Sequence, residues 1–183
     1  MALIYEEESR EQAMWETARR MLTAARTAPK GRGVDSLVMA AVGKEEIKLL
    51  AAKMLEIGEE TQDTFYARDA EGMLKCDAAV IIGTKIEPLG LTHCGFCGFG
   101  SCAEKRKHPD APCAFNTGDL GIAVGSAVSV AMDCRADNRI MFKTGKAAIA
   151  LKMLGKDVKI AYGIPLSCSG KNVFFDRKWP IVG

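Results

Sequence analysis

Four cysteines fall within twenty residues of this chain of 183: Cys94, Cys97, Cys102 and Cys113, spaced Cys-x2-Cys-x4-Cys-x10-Cys. The surrounding segment, residues 84–117, is crowded with glycine, cysteine, proline and histidine and has no helical or strand periodicity. Such a stretch has no apolar face to bury. Four soft sulfur donors this close suit one metal centre. Unconnected structural cysteines are the bland alternative, and the crowding in one glycine-rich loop argues against it.

Two centres suit the donors: an iron–sulfur cluster and a structural zinc. Four-thiolate zinc sites often use two Cys-x2-Cys pairs, and here only Cys94 and Cys97 form one. Gly95, Gly98 and Gly100 lie between the ligands and let backbone N–H groups turn toward an anionic core. Phe96, Phe99 and Phe115 are candidates to shield it from water. The balance favours iron–sulfur, with zinc left open. His93 and His108 are candidate substitute ligands or hydrogen-bond donors; His108, beside Lys105, Arg106 and Lys107, reads rather as a solvated histidine. Cys76 and Cys134 read as core thiols, and Cys168, between two serines, as the remaining thiol to watch.

Composition frames this reading. Apolar residues make up 48% and charged residues 26%, which is globular. The length fits one domain over residues 1–183 with residues 84–117 as an inserted segment. The net charge of +2 gives no reason to expect nucleic acid. The charge is uneven: residues 135–183 hold ten basic and three acidic side chains, which suits either a phosphate or a solvated lysine face. No apolar run approaches the ~20 residues of a membrane span. The first fifteen residues have no basic start and no apolar core of a leader. A cytoplasmic chain is expected, with its cysteines as thiols or metal ligands.

Periodicity predicts amphipathic helices over 8–28 and 44–57, a short helix at 66–75, and a buried strand at 77–83. Residues 34–42 read as strand or helix. Residues 119–132 are apolar nearly all round, which predicts a helix buried on most sides. A strand is expected at 139–142, a helix at 145–154 closed by Gly155, and a strand at 158–163. Alternating helices and strands make the class mixed α and β.

A second constellation lies at residues 24–35, where Arg26, Lys30 and Arg32 flank a glycine-bearing loop. Three cations with exposed backbone N–H groups suit a phosphate. An ordinary helix C-terminus also attracts cations, so both readings stand.

The cysteine segment, Cys94-Gly95-Phe96-Cys97-Gly98-Phe99-Gly100-Ser101-Cys102, resembles the 4Fe-4S domain of corrinoid iron–sulfur proteins and electron-transfer complex subunits. Cys113 comes earlier than the fourth cysteine there. The helix followed by Ala25-Arg26-Thr27-Ala28-Pro29 resembles the start of nitroreductase-like flavoproteins. Asp119-x-Gly121 resembles the head of their dimer-forming helix, and Tyr162-Gly163-Ile164-Pro165 their turn after the last core strand. With residues 27–35 and 170–177, the whole chain is similar to the family of uncharacterised proteins containing a ferredoxin domain.

The resemblance implies an α+β, nitroreductase-like mixed sheet flanked by helices and carrying the cysteine loop. It implies a 4Fe-4S cluster on Cys94, Cys97, Cys102 and Cys113, and a homodimer with FMN at its interface. Carried over by position, Arg26, Lys30, Arg32 and Asp35 would face the flavin, with Lys171 and Arg177 reaching its phosphate. Lys30 stands where those flavoproteins carry a small residue. The expectation is a redox protein relaying single electrons to a partner the sequence does not name, as a flavin-dependent oxidoreductase or as a simple carrier. A non-enzymatic protein with a structural or sensing metal is the alternative. No general acid or base stands out, as is common where a cofactor carries the chemistry.

Overall fold

A computed structural model describes residues 3–175. The chain runs α1 (Glu6–Thr27), β1 (Leu37–Val42), α2 (Lys44–Thr61), α3 (Phe65–Met73), β2 (Ala78–Lys85), α4 (Cys102–Lys105), α5 (Ala114–Asp133), β3 (Asp137–Asn138), α6 (Phe142–Ala150) and β4 (Val158–Ser167). The four strands form one sheet in the order β1-β2-β4-β3. The α+β class and the helix-flanked sheet stand. The pairings described are all antiparallel, so the sheet is less mixed than the resemblance implies.

Strand β2 lies at the centre, and its two faces explain both cores. Side chains alternate along a strand. Ala79 and Ile81 point to one face, where α2, α3 and α6 bring Leu50, Met54, Met73 and Ala147. Ala78, Val80 and Ile82 point to the other, where α1 and α5 bring Met14, Met21, Leu120 and Ala127. Both faces of β2 are covered, so it reads as an unbroken apolar run rather than an alternating one. Each fully buried Val or Ile there contributes about 1.5–3 kcal/mol.

Several boundaries differ from the sequence expectations. Strand β4 extends to Ser167, so Tyr162-Gly163-Ile164-Pro165 lie inside a strand and not in a turn. Residues 139–142 form no strand: Met141 makes one isolated bridge to Gly163, and Phe142 already begins α6. Helix α6 ends at Ala150, before Gly155, where Leu151 caps it and Lys152 takes a left-handed φ of 54°. Helix α5 starts earlier than expected, directly after Cys113. It is also less enclosed than its composition suggests: Ile122 is 49% and Met132 64% exposed.

Helix α6 lies almost in contact with the β4 backbone. A Cβ on Gly145 would stand 1.8 Å from the Ala161 carbonyl oxygen. On the same helix Lys143 is buried, paired with Asp63 at 2.8 Å and ringed by Phe65, Tyr66 and Phe142. The cation ties α6 to the α2–α3 connection while its charge is met by carboxylate and ring faces.

Candidate metal centre

The chain leaves the sheet at Lys85 and enters α5 at Ala114, and the cysteine segment fills the interval. Two hydrogen bonds from outside the segment hold it in place, and a third caps its own short helix. The Asn116 side-chain oxygen accepts the Glu87 amide at 2.8 Å. The Arg32 guanidinium donates to the Leu89 carbonyl at 2.8 Å. Ser101 caps the short helix α4 by accepting the Glu104 amide at 3.2 Å. Asn116 also donates to Ser36, which is bonded to Thr84 at 2.8 Å, so the anchor reaches the end of β2.

All four cysteines line one small pocket, and they share it with Pro88, Leu89, Leu91, Phe99, Phe115 and Lys105. Cys113 is buried and precedes the first residue of α5, a helix of 20 residues. Cys94, Cys97 and Cys102 are partly exposed. The Cys102 sulfur approaches the Leu91 carbonyl at 3.8 Å.

Among the described residues, no three His, Cys, Asp or Glu side chains converge tightly enough to hold a metal ion. A single tetrahedral zinc, with Zn–S near 2.3 Å, draws its sulfurs to within about 3.8 Å of one another. Four thiols lining one pocket with apolar walls are a donor set suited to thiolate-bound iron–sulfur as well as to zinc.

Several expected details are changed. Gly95 and Gly98 adopt left-handed φ values of 65° and 83°, as the glycine spacing suggested. Yet the Gly98 amide donates to the Gly95 carbonyl and the Gly100 amide to the Glu104 carboxylate, so neither is left to face the pocket. Phe99 and Phe115 wall the pocket, whereas Phe96 is 78% exposed and stacks on Phe115 from outside, with ring centres 6.0 Å apart. His93 and His108 do not line the pocket; both are exposed, and His108 stacks on Phe99. Cys76 is a core thiol as expected, whereas Cys134 and Cys168 are partly exposed.

The second constellation closes on itself. The Lys30 ammonium donates to the carbonyls of Ala25, Arg26 and Ala28, and so caps the end of α1. Arg26 pairs with Asp35, which also accepts the Leu37 amide at 3.0 Å. Arg32 takes a left-handed φ of 56° and is held by Leu89. Lys171 lies elsewhere, lining a separate cleft with Arg68, Lys75 and Arg139. Arg177 lies outside the described residues. Arg26, Lys30 and Arg32 thus each have partners within the protein itself.

The two constellations nevertheless meet. The Gly31 amide donates to Asp119 of α5, and a Cβ on Gly31 would stand 2.6 Å from Leu89 and 2.9 Å from Phe115, both walls of the cysteine pocket. Sequence reasoning missed Asn116 and Lys105. Ser101-x-x-Glu104 was the available signal for Lys105: it marks a helix start, which places Lys105 one turn beyond Cys102.

Comparison with known proteins agrees with this architecture. A family model described as "uncharacterized protein containing a ferredoxin domain (DUF2148)" matches residues 109–177. An uncharacterized protein of Archaeoglobus fulgidus is 42% identical over 164 residues, covering 86% of this chain and 88% of its own. Among solved structures, an oxidoreductase containing FMN is similar with a TM-score of 0.58 and 12% identity, over 85% of this chain and 67% of that one. The FMN-dependent nitroreductase NfnB from Mycobacterium smegmatis, in complex with NADPH, is similar with a TM-score of 0.55 and 12% identity, over 92% and 85%. A BluB-like flavoprotein from Clostridium difficile 630 gives 0.55 and 16%, over 91% and 85%. At these identities the likeness concerns the fold alone. The chain belongs to the family of proteins containing a ferredoxin domain (DUF2148), and it is built on a nitroreductase-like fold.

Proposed function

We propose that this protein is an iron–sulfur electron carrier whose Cys94, Cys97, Cys102 and Cys113 hold a 4Fe-4S cluster. The observation that carries the reading is the one pocket bordered by all four thiols. A bound cluster supplies reversible one-electron chemistry. The cysteines bind such a cluster as thiolates. Leu89, Leu91, Phe99 and Phe115 keep water from the site. The partly exposed side of Cys94 and Cys97 is where an electron donor or acceptor would approach.

The protein would act as a homodimer through α5. Gly118, Gly121, Ile122, Gly125 and Met132 recur at helical spacing on its exposed face, and a Cβ on any of those glycines meets nothing within 4 Å. An apolar helix with a flat, small-residue face suits a second copy of itself. Ile122→Asp should give a monomer by sedimentation.

Anaerobically purified protein should contain iron and acid-labile sulfide in equal amounts and lose visible absorption with dithionite. Cys97→Ser should remove iron and colour, and Cys76→Ser should keep both. Colourless protein with one zinc per chain would replace this reading with a structural or sensing site. Flavin released on denaturation would add the oxidoreductase activity that the fold neighbours suggest.

A further inference from the structure

Lys105 is 1% exposed and among the largest fully buried side chains of the molecule. It lines the cysteine pocket. Its ammonium makes one hydrogen bond, to the His108 carbonyl at 3.2 Å. No carboxylate lies within ion-pair distance of it among the described residues. The other buried lysine, Lys143, has both a carboxylate and three ring faces. A buried ammonium without a counter-charge is costly, and such groups are ordinarily paired. Four thiols border the same pocket, and as thiolates they are the natural partner.

We infer that Lys105 is the internal counter-ion of the cluster: the structure buries this otherwise unmatched lysine in the wall of the pocket that the four cysteines also line. This inference rests on the proposed iron–sulfur reading. Four thiolates around a 4Fe-4S core leave a net negative charge in the oxidised state. One electron from a reductant adds one more negative charge, with no bond made or broken. A fixed positive charge therefore stabilises the reduced form more than the oxidised one, and it raises the reduction potential. Lys105 is a positioning and tuning residue, not a ligand.

The test is a potentiometric titration, with dithionite as the electron source, of anaerobically loaded wild type, Lys105→Met, Lys105→Gln and Lys105→Arg. Iron and sulfide are counted in each. Lys105→Met and Lys105→Gln should lose at least tenfold in affinity for the electron, a fall of about 59 mV for a one-electron couple. Lys105→Arg should stay near wild type. Should Lys105→Met fail to load while Lys105→Arg loads, the need for charge is supported; should both fail alike, the site demands shape and the inference is overturned. Loaded Lys105→Met at the wild-type potential also overturns it and leaves the iron–sulfur reading intact. Wild type without iron and sulfide overturns both.

Discussion

The Gly31 amide points at the Asp119 carboxylate and lies 3.1 Å from each of its two oxygens, across 88 positions of sequence. This contact joins the loop after α1 to the first turns of α5, directly behind the cysteine pocket. Asp119 is buried, so the amide has no water to turn to if the carboxylate is removed. Asp119→Ala should destabilise the fold by about 1–3 kcal/mol, the usual cost of a buried donor left unpaired. Asp119→Asn, which keeps one acceptor, should lose less. Urea unfolding distinguishes them, and equal stability of Asp119→Ala and wild type would show the contact to be idle.

The crossing of α6 over β4 has no room for a methyl group at Gly145. Gly145→Ala should cost about 3 kcal/mol, at the upper end of overpacking losses, because the obstacle is backbone. At about 2–4 °C per kcal/mol for a domain of this size, calorimetry should find the melting temperature lower by roughly 6–12 °C. Gly170→Ala, where a Cβ meets nothing within 4 Å, is the control and should not lower it.

Asp35 introduces a pH dependence. Partial burial works to raise its pKa, but the Arg26 hydrogen bond, the Leu37 amide and the charges of Arg26 and Lys30 outweigh it. Its folded pKa therefore lies below the unfolded value. The resulting stability is fully present above the unfolded pKa, about 3.9, and is lost as pH falls through the folded one. Asp35→Asn should be less stable than wild type at pH 7, with the deficit shrinking as the medium is acidified below pH 4. A deficit that grows in acid would reverse the sign of the argument.

The Cys76 thiol is buried and donates to the Gly72 carbonyl at 3.3 Å. Burial, with the neighbouring Asp77 charge, pushes its pKa up to about 12. The thiolate is the reactive form, so folded protein treated with iodoacetamide at pH 8 should remain unlabelled at Cys76. Peptide mass spectrometry reads the site directly, with the partly exposed Cys168 as the internal comparison. Labelling of Cys76 as fast as Cys168 would contradict the buried placement.

Local pattern revealed much of this molecule. Helical spacing located α1 and α2, and the apolar run at 77–83 located β2, because those elements bury a face whose period is written in the chain. The cysteine spacing singled out four candidate donors before any fold was known. Elsewhere local pattern stopped short. Residues 34–42 could be settled as strand only by pairing with β2. The end of α6 and the length of β4 were decided by the close approach of two backbones far apart in sequence. Lys30 and Arg32 read as candidate phosphate ligands because a list of cations does not say which carbonyls they will meet. Lys105 went unassigned because nothing nearby in sequence shows that a helix turn drives it inward.

The sequence by itself thus determined which four cysteines are candidate donors and where the amphipathic elements lie, since both depend on residue type and spacing over a few turns. The tertiary structure alone decided that all four thiols border one space, that the glycine loop backs onto it, and that a lysine is buried at its wall. Those relations join residues dozens of positions apart, and only the packing of α5 against the sheet and the α1 loop brings them together.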